Sequence, residues 1–200
     1  MNQWMLEPAE ILAIHPVLPV LVVDSIEQAL SIGSALIEGG HSALEVTLRT
    51  PAALDAITEL RCTFPDVLVG AGTVLNTSHY DQAVKAGAQF AVSPGLTEAL
   101  LHHARNQTIP LMPGVANASV IMLALSQGYD CLKFFPAEAS GGVAVLKALA
   151  GPFPQIRFCP FGGISAANAK DYLALSNVPA VSGSWMIPAE AVIPIVFSKS

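Results

Sequence analysis

Apolar residues come along this chain in short, nearly unbroken runs of strand length, and each run is followed by a longer segment whose apolar positions recur at helical spacing. An unbroken apolar run has no face to offer water, which is the pattern of parallel strands covered on both sides by crossover helices. The runs predict strands over 16–24, 43–49, 68–74, 90–94, 110–114, 131–136, 157–161 and 180–185. Helices are expected over 26–38, 51–64, 78–86, 97–106, 118–127, 143–150 and 166–175, with another opening the chain at 8–14. Gly39-Gly40, Gly87 and Gly128 supply stop signals. Eight strands, each followed by a helix, predict an α/β fold of the (β/α)8 TIM-barrel type with an extra N-terminal helix, in one domain spanning 1–200. A doubly wound open sheet is the rival reading.

Composition narrows the function. About half of the residues are apolar (52%) and only 12% are charged, which calls for a large aliphatic core and excludes a disordered chain. The apolar runs are broken by Pro16 and Pro19 and fall short of the roughly 20 residues of a spanning helix. The first residues carry neither a basic lead nor an apolar stretch, so no secretion signal is expected and the default location is the cytoplasm. A net charge of -6 without a basic cluster argues against nucleic acid. The expected partner is a small molecule. Cys62, Cys131 and Cys159 are widely spaced and read as reduced thiols, with a catalytic cysteine as the minor alternative.

Lys133 is the residue out of place. It lies inside the apolar run Cys131-Leu132-Lys133-Phe134-Phe135-Pro136, where its neighbours cannot replace the water an ammonium loses. Dehydration disfavours the charged form, and a neutral amine is a nucleophile. A lysine that snorkels from a strand end, or pairs with a carboxylate from another strand, is the bland alternative.

Strand alternation brings in the rest. Glu45, Thr47 and Arg49 share one face of their strand, and that polar face must point inward, toward the C-terminal mouth of the barrel. Cys131, Lys133 and Phe135 likewise share a face, so an inward Lys133 is expected to meet an inward Glu45. Arg49 is a second inward cation, suited to gripping a carboxylate in two-pronged fashion. Gly70-Ala71-Gly72-Thr73 removes bulk and then offers a hydroxyl, which suggests close approach of a ligand. Gly162-Gly163-Ile164-Ser165 and Ser182-Gly183-Ser184, after the seventh and eighth strands, are where barrels often cradle phosphate on backbone N–H groups. The five histidines are scattered, and no zinc-ligand spacing occurs, so no metal and no cofactor are expected.

Taken together these motifs resemble the 2-keto-3-deoxy-6-phosphogluconate (KDPG) and 4-hydroxy-2-oxoglutarate (KHG) aldolase family of class I aldolases. The likeness runs through Pro19-Val20, the segment from Leu44 to Thr50, Val69 to Val74, Ser93-Pro94-Gly95, Pro113-Gly114, Lys133 to Glu138, Phe158-Cys159-Pro160 with Gly162-Gly163-Ile164, and Gly183-Ser184-Trp185. The resemblance implies a barrel assembled as a homotrimer that needs no metal. It implies Lys133 as the Schiff-base lysine and Glu45 as the proton shuttle. It implies Arg49 and Thr73 for the pyruvate carboxylate, Pro94 and Phe135 as apolar walls, and Gly162, Gly163 and Ser184 for the phosphate end.

Two departures stand out. Phe161 occupies a place where the family commonly has threonine, so a ring replaces a hydroxyl that faces substrate. After Pro188 the segment 191–197 carries a proline in mid-run, which costs about 3 kcal/mol in a helix interior, so the eighth helix is expected to be shortened or irregular. The departures leave open a weakened barrel that binds a keto acid or phosphate compound without turnover.

Overall fold

The structure is a computed structural model that describes residues 3–187. Its strands are β1 (Val17–Leu21), β2 (Ala43–Thr47), β3 (Leu68–Gly72), β4 (Ala91–Val92), β5 (Leu111–Met112), β6 (Gly114–Val115), β7 (Cys131–Phe134), β8 (Arg157–Pro160) and β9 (Val181–Gly183). Every strand pairing is parallel. Six strands follow the order β5-β4-β3-β2-β1-β9, and three follow β6-β7-β8. The fold is therefore α/β with parallel sheets. The expected fifth strand is divided at Pro113 into β5 and β6. A proline has no N–H for the ladder, but its carbonyl still accepts the Lys133 N–H at 3.0 Å.

The helices are α1 (Pro8–Ile14), α2 (Ile26–Glu38), α3 (Ala53–Thr63), α4 (Thr77–Lys85), α5 (Glu98–Arg105), α6 (Ala118–Ser126), α7 (Gly142–Leu149) and α8 (Ala169–Leu173). Four begin on a side-chain cap: Ser25, Asn76, Thr97 and Asn117 each accept a backbone N–H of the first turn. The last expected helix is reduced to the short α8. The chain after Pro188, where the irregular segment 191–197 was expected, lies outside the described residues.

Two apolar clusters explain how the layers stack. The larger joins outward strand residues such as Leu21, Val46, Ala71 and Leu132 to helix residues such as Ile32, Ile57 and Leu60. The smaller lies among inward residues: Leu18, Ala43, Phe90, Met112, Cys131 and Cys159. Ile11 and Leu12 of α1 belong to it, so the helix that opens the chain covers this inner layer at the N-terminal ends of the strands. Among the described residues no helix is long and apolar enough to cross a membrane.

The strands stop earlier than the apolar runs predict, mostly at their C-terminal ends. β3 ends at Gly72 because Thr73 takes a left-handed φ of 58°, an uncommon conformation for a β-branched residue. Arg49, Thr73, Pro94, Phe135, Phe161 and Ser184 all fall just past the last residue of a strand, on one end of the sheets.

Candidate active site

The register fixes which side chains meet. Glu45 pairs with Val20 and Gly70, whereas Lys133 pairs with Gly114 and Cys159. The two residues come from different sheets and meet across the interior, with Lys133 Nζ 3.6 Å from Glu45 Oε1. Glu45 is fully buried and Lys133 is 5% exposed. Neither Glu45 oxygen has a hydrogen-bond donor among the described residues. A buried carboxylate without hydrogen bonds is a poor stabiliser, because the ion pair alone seldom offsets lost hydration. Room for it is made by Gly72, where an added Cβ would lie 2.1 Å from Glu45 Oε1.

The ammonium has compensation that its sequence neighbours do not suggest. Lys133 Nζ lies 4.3 Å from the Phe161 ring centroid and 5.4 Å from that of Phe135. The two rings stack at 5.7 Å with planes 26° apart, so the nitrogen meets their π faces as well as Glu45.

A cleft of about 380 Å³ opens over the nitrogen, lined by Arg49, Thr73, Pro94, Lys133, Phe135 and Phe161 among others. Ser184 is also on its wall. Glu45 stands behind Lys133 rather than on the lining. Gly162 and Gly163 continue directly from Phe161, with left-handed φ of 102° and 78°. Every expected site residue thus falls in or beside one cleft. Val20, Val22 and Thr47 line it too and were not among the expected site residues. Thr47 was legible as inward-facing, but its hydroxyl is held by Leu21 O at 3.0 Å.

One expectation is corrected, and the minor alternative of a catalytic cysteine is set aside for Cys131 and Cys159. Gly70 does not open space for a ligand: a Cβ there would lie 2.2 Å from the Phe90 ring, just as the space at Gly72 belongs to Glu45. The space at Gly183 is filled by the Trp185 ring. Cys131 and Cys159 are buried, and burial pushes both thiols up to about 12, so neither supplies a thiolate nucleophile near neutrality. Among the described residues no three His, Cys, Asp or Glu side chains gather as metal ligands.

A lysine paired with an unbonded buried carboxylate, in an apolar-walled cleft at the C-terminal ends of parallel strands, defines a class of site built for carbonyl chemistry through an amine. Comparisons with known proteins agree. The model of the KDPG and KHG aldolase family matches residues 9–194. KHG/KDPG aldolase of Escherichia coli K12 is 52% identical over 191 residues, 96% of this chain and 90% of that protein. The 2-dehydro-3-deoxy-phosphogluconate aldolase of Dickeya dadantii is 51% identical over the same length, again 96% of this chain and 90% of its own. Among solved structures, the KDPG aldolase of Legionella pneumophila, with pyruvate captured at low pH as a covalent carbinolamine, superposes with a TM-score of 0.92 at 50% identity. The match covers 94% of this chain and 91% of that one. The chain belongs to the KDPG and KHG aldolase family and is an aldolase, a carbon–carbon lyase.

Proposed function

We propose that the chain is a class I aldolase that cleaves KDPG to pyruvate and glyceraldehyde 3-phosphate, with KHG, cleaved to pyruvate and glyoxylate, as a second substrate. The observation that carries this reading is the buried Lys133–Glu45 pair, 3.6 Å apart beneath the cleft, with no hydrogen bond to the carboxylate among the described residues. The names of the Escherichia coli relative and of the Legionella intermediate support it.

In this reading the neutral Lys133 amine adds to the C2 ketone of the substrate to give a carbinolamine. Loss of water leaves a protonated imine that withdraws electrons from the C3–C4 bond. Glu45, directly or through water, takes the C4 hydroxyl proton as that bond breaks, and the aldehyde leaves. The remaining enamine accepts a proton at C3, and hydrolysis of the imine frees pyruvate and regenerates the amine. Arg49 and Thr73 hold the pyruvate carboxylate, Pro94 and Phe135 form the apolar walls, and Phe161 covers the reacting nitrogen. Gly162, Gly163 and Ser184 take the phosphate. No cofactor enters any step.

The finer architecture belongs to the same proposal. The strand halves β5 and β6, joined through Pro113, link the two sheets on one side. On the other, Ser182 Oγ of β9 lies 3.4 Å from Pro160 O of β8, which supports closure into a (β/α)8 barrel. We also propose one domain over 1–200, a homotrimeric assembly and a cytoplasmic location, as the family resemblance implies.

The test is borohydride reduction in the presence of pyruvate, followed by peptide mass mapping. A reduced pyruvate adduct on Lys133, abolished in Lys133→Met, is the expected result. Absence of an adduct would leave a barrel that binds without turnover.

A further inference from the structure

The Gly162–Gly163 turn has no side chains with which to hold its own shape, and both residues sit in left-handed backbone. Its shape is imposed from outside. The Ala137 N–H donates to Phe161 O at 2.8 Å and the Glu138 N–H donates to Gly162 O at 3.0 Å. Asn168 Nδ2 donates to Gly163 O at 3.0 Å. The side chain of Glu138 then packs against the turn: a Cβ on Gly163 would lie 2.6 Å from Glu138 Cγ and 2.7 Å from its Cβ. The carboxylate is fixed in turn by the Tyr172 hydroxyl, which donates to Oε1. Both groups crowd Gly142, where an added Cβ would lie 3.0 Å from the Tyr172 oxygen and 3.1 Å from Glu138 Oε1.

A core tyrosine that only needs an acceptor does not need this carboxylate. The chain has three tyrosines, all buried, and two of them donate to backbone carbonyls: Tyr80 to Ile109 and Tyr129 to Leu101. Tyr172 alone of the three reaches a carboxylate, on an exposed residue that follows the Lys133 strand. Burial pushes the Tyr172 phenol up, with the neighbouring carboxylate adding to the effect, so the hydroxyl stays a donor through the neutral range. The contact ties α8, the Gly162–Gly163 turn and the strand of the reacting lysine into one rigid corner.

We propose that Glu138 and Tyr172 are positioning residues that set the Gly162–Gly163 turn for the phosphate end of the substrate, and thereby the preference for phosphorylated over non-phosphorylated keto acids. This rests on the aldolase reading and adds a device to it. Without the tyrosine hydroxyl the carboxylate loses the bond that fixes it, and without the Glu138 side chain the turn loses the packing at Gly163 that holds its shape.

The test compares Tyr172→Phe, Glu138→Ala and Glu138→Gln with the wild type, with kcat and KM measured for KDPG and for KHG and glycerol 3-phosphate binding followed by calorimetry. A hydrogen bond to a charged group is worth enough that Tyr172→Phe and Glu138→Ala should lower kcat/KM for KDPG about tenfold, through KM. Both should weaken glycerol 3-phosphate to a similar extent and leave KHG cleavage and pyruvate trapping unchanged. Glu138→Gln, which still accepts the bond, should recover most of the loss. Equal losses on both substrates, no loss on either, or a wild type that does not bind glycerol 3-phosphate would overturn the proposal. Failure of the wild type to trap pyruvate would instead strike the aldolase reading, and the glycerol 3-phosphate titration still decides the role of Glu138 and Tyr172.

Discussion

Glu45 and Lys133 are each a poor choice for stability taken singly, and the proposed chemistry gives a reason for the pair. In the proposed mechanism Glu45, with the Lys133 nitrogen 3.6 Å away and no hydrogen-bond donor among the described residues, accepts the proton of a substrate hydroxyl. Glu45→Gln keeps the shape and removes the base, so kcat for cleavage should fall about 10²- to 10⁴-fold, measured by coupled assay of pyruvate release. Phe161 has a different role. Its ring face lies 4.3 Å from Nζ, and in the proposed mechanism it stabilises the positive charge that the imine carries. Phe161→Leu retains most of the bulk and loses the π face. Pyruvate trapping should slow about threefold to tenfold with little change in the concentration of pyruvate required, as read from the trapping rate against pyruvate concentration. At this scale the sequence was informative, because a lysine between leucine and phenylalanines and a glutamate on an alternating strand are visible in one dimension. The stacking of Phe135 on Phe161 beside the nitrogen was not, since the two follow different strands.

At the scale of elements, strand ends matter more than strand middles. The cleft sits just past Thr47, Gly72, Val92, Phe134, Pro160 and Gly183, where the ladder stops and the backbone turns. Gly72 shows how tightly an end is adapted. Adding a methyl group there must displace the Glu45 carboxylate, whereas the same change at Gly70 meets the Phe90 ring first. Both Gly70→Ala and Gly72→Ala should cost about 1 to 3 kcal/mol by urea denaturation. Gly72→Ala should also lower kcat, and Gly70→Ala should spare it. The pattern of runs located the observed strands and α-helices, but it overextended the strands, missed the break at Pro113 and gave no sign of the 3-10 turn at Glu138–Ser140. Periodicity reports burial, and burial continues past the last ladder hydrogen bond.

At the scale of the whole molecule, tertiary packing makes a pair the spacing conceals. His15 precedes β1 and His41 precedes β2, and their rings lie 4.4 Å apart. Partial burial, with His15 as a second cause, lowers the His41 pKa from its ordinary 6.5. The unfolded chain therefore takes up this proton first. Stability is held above about pH 6.5 and is lost as pH falls from there through the lower folded value. Thermal melts across this range should show a smaller acid loss of Tm for His41→Gln than for the wild type.

The sequence by itself determined the parallel α/β fold, the inward face of each strand and the identity of the buried Lys133 and Glu45 that meet there, because alternation and local hydration are properties of neighbours along the chain. Only the tertiary structure decided what those groups meet: that Glu45 has no hydrogen-bond donor among the described residues, that two stacked rings lie against Lys133, and that the Glu138 side chain, bonded by Tyr172, packs on a turn of glycines. Such contacts join residues on different strands and helices, and their distances depend on how the sheets curve around a shared interior.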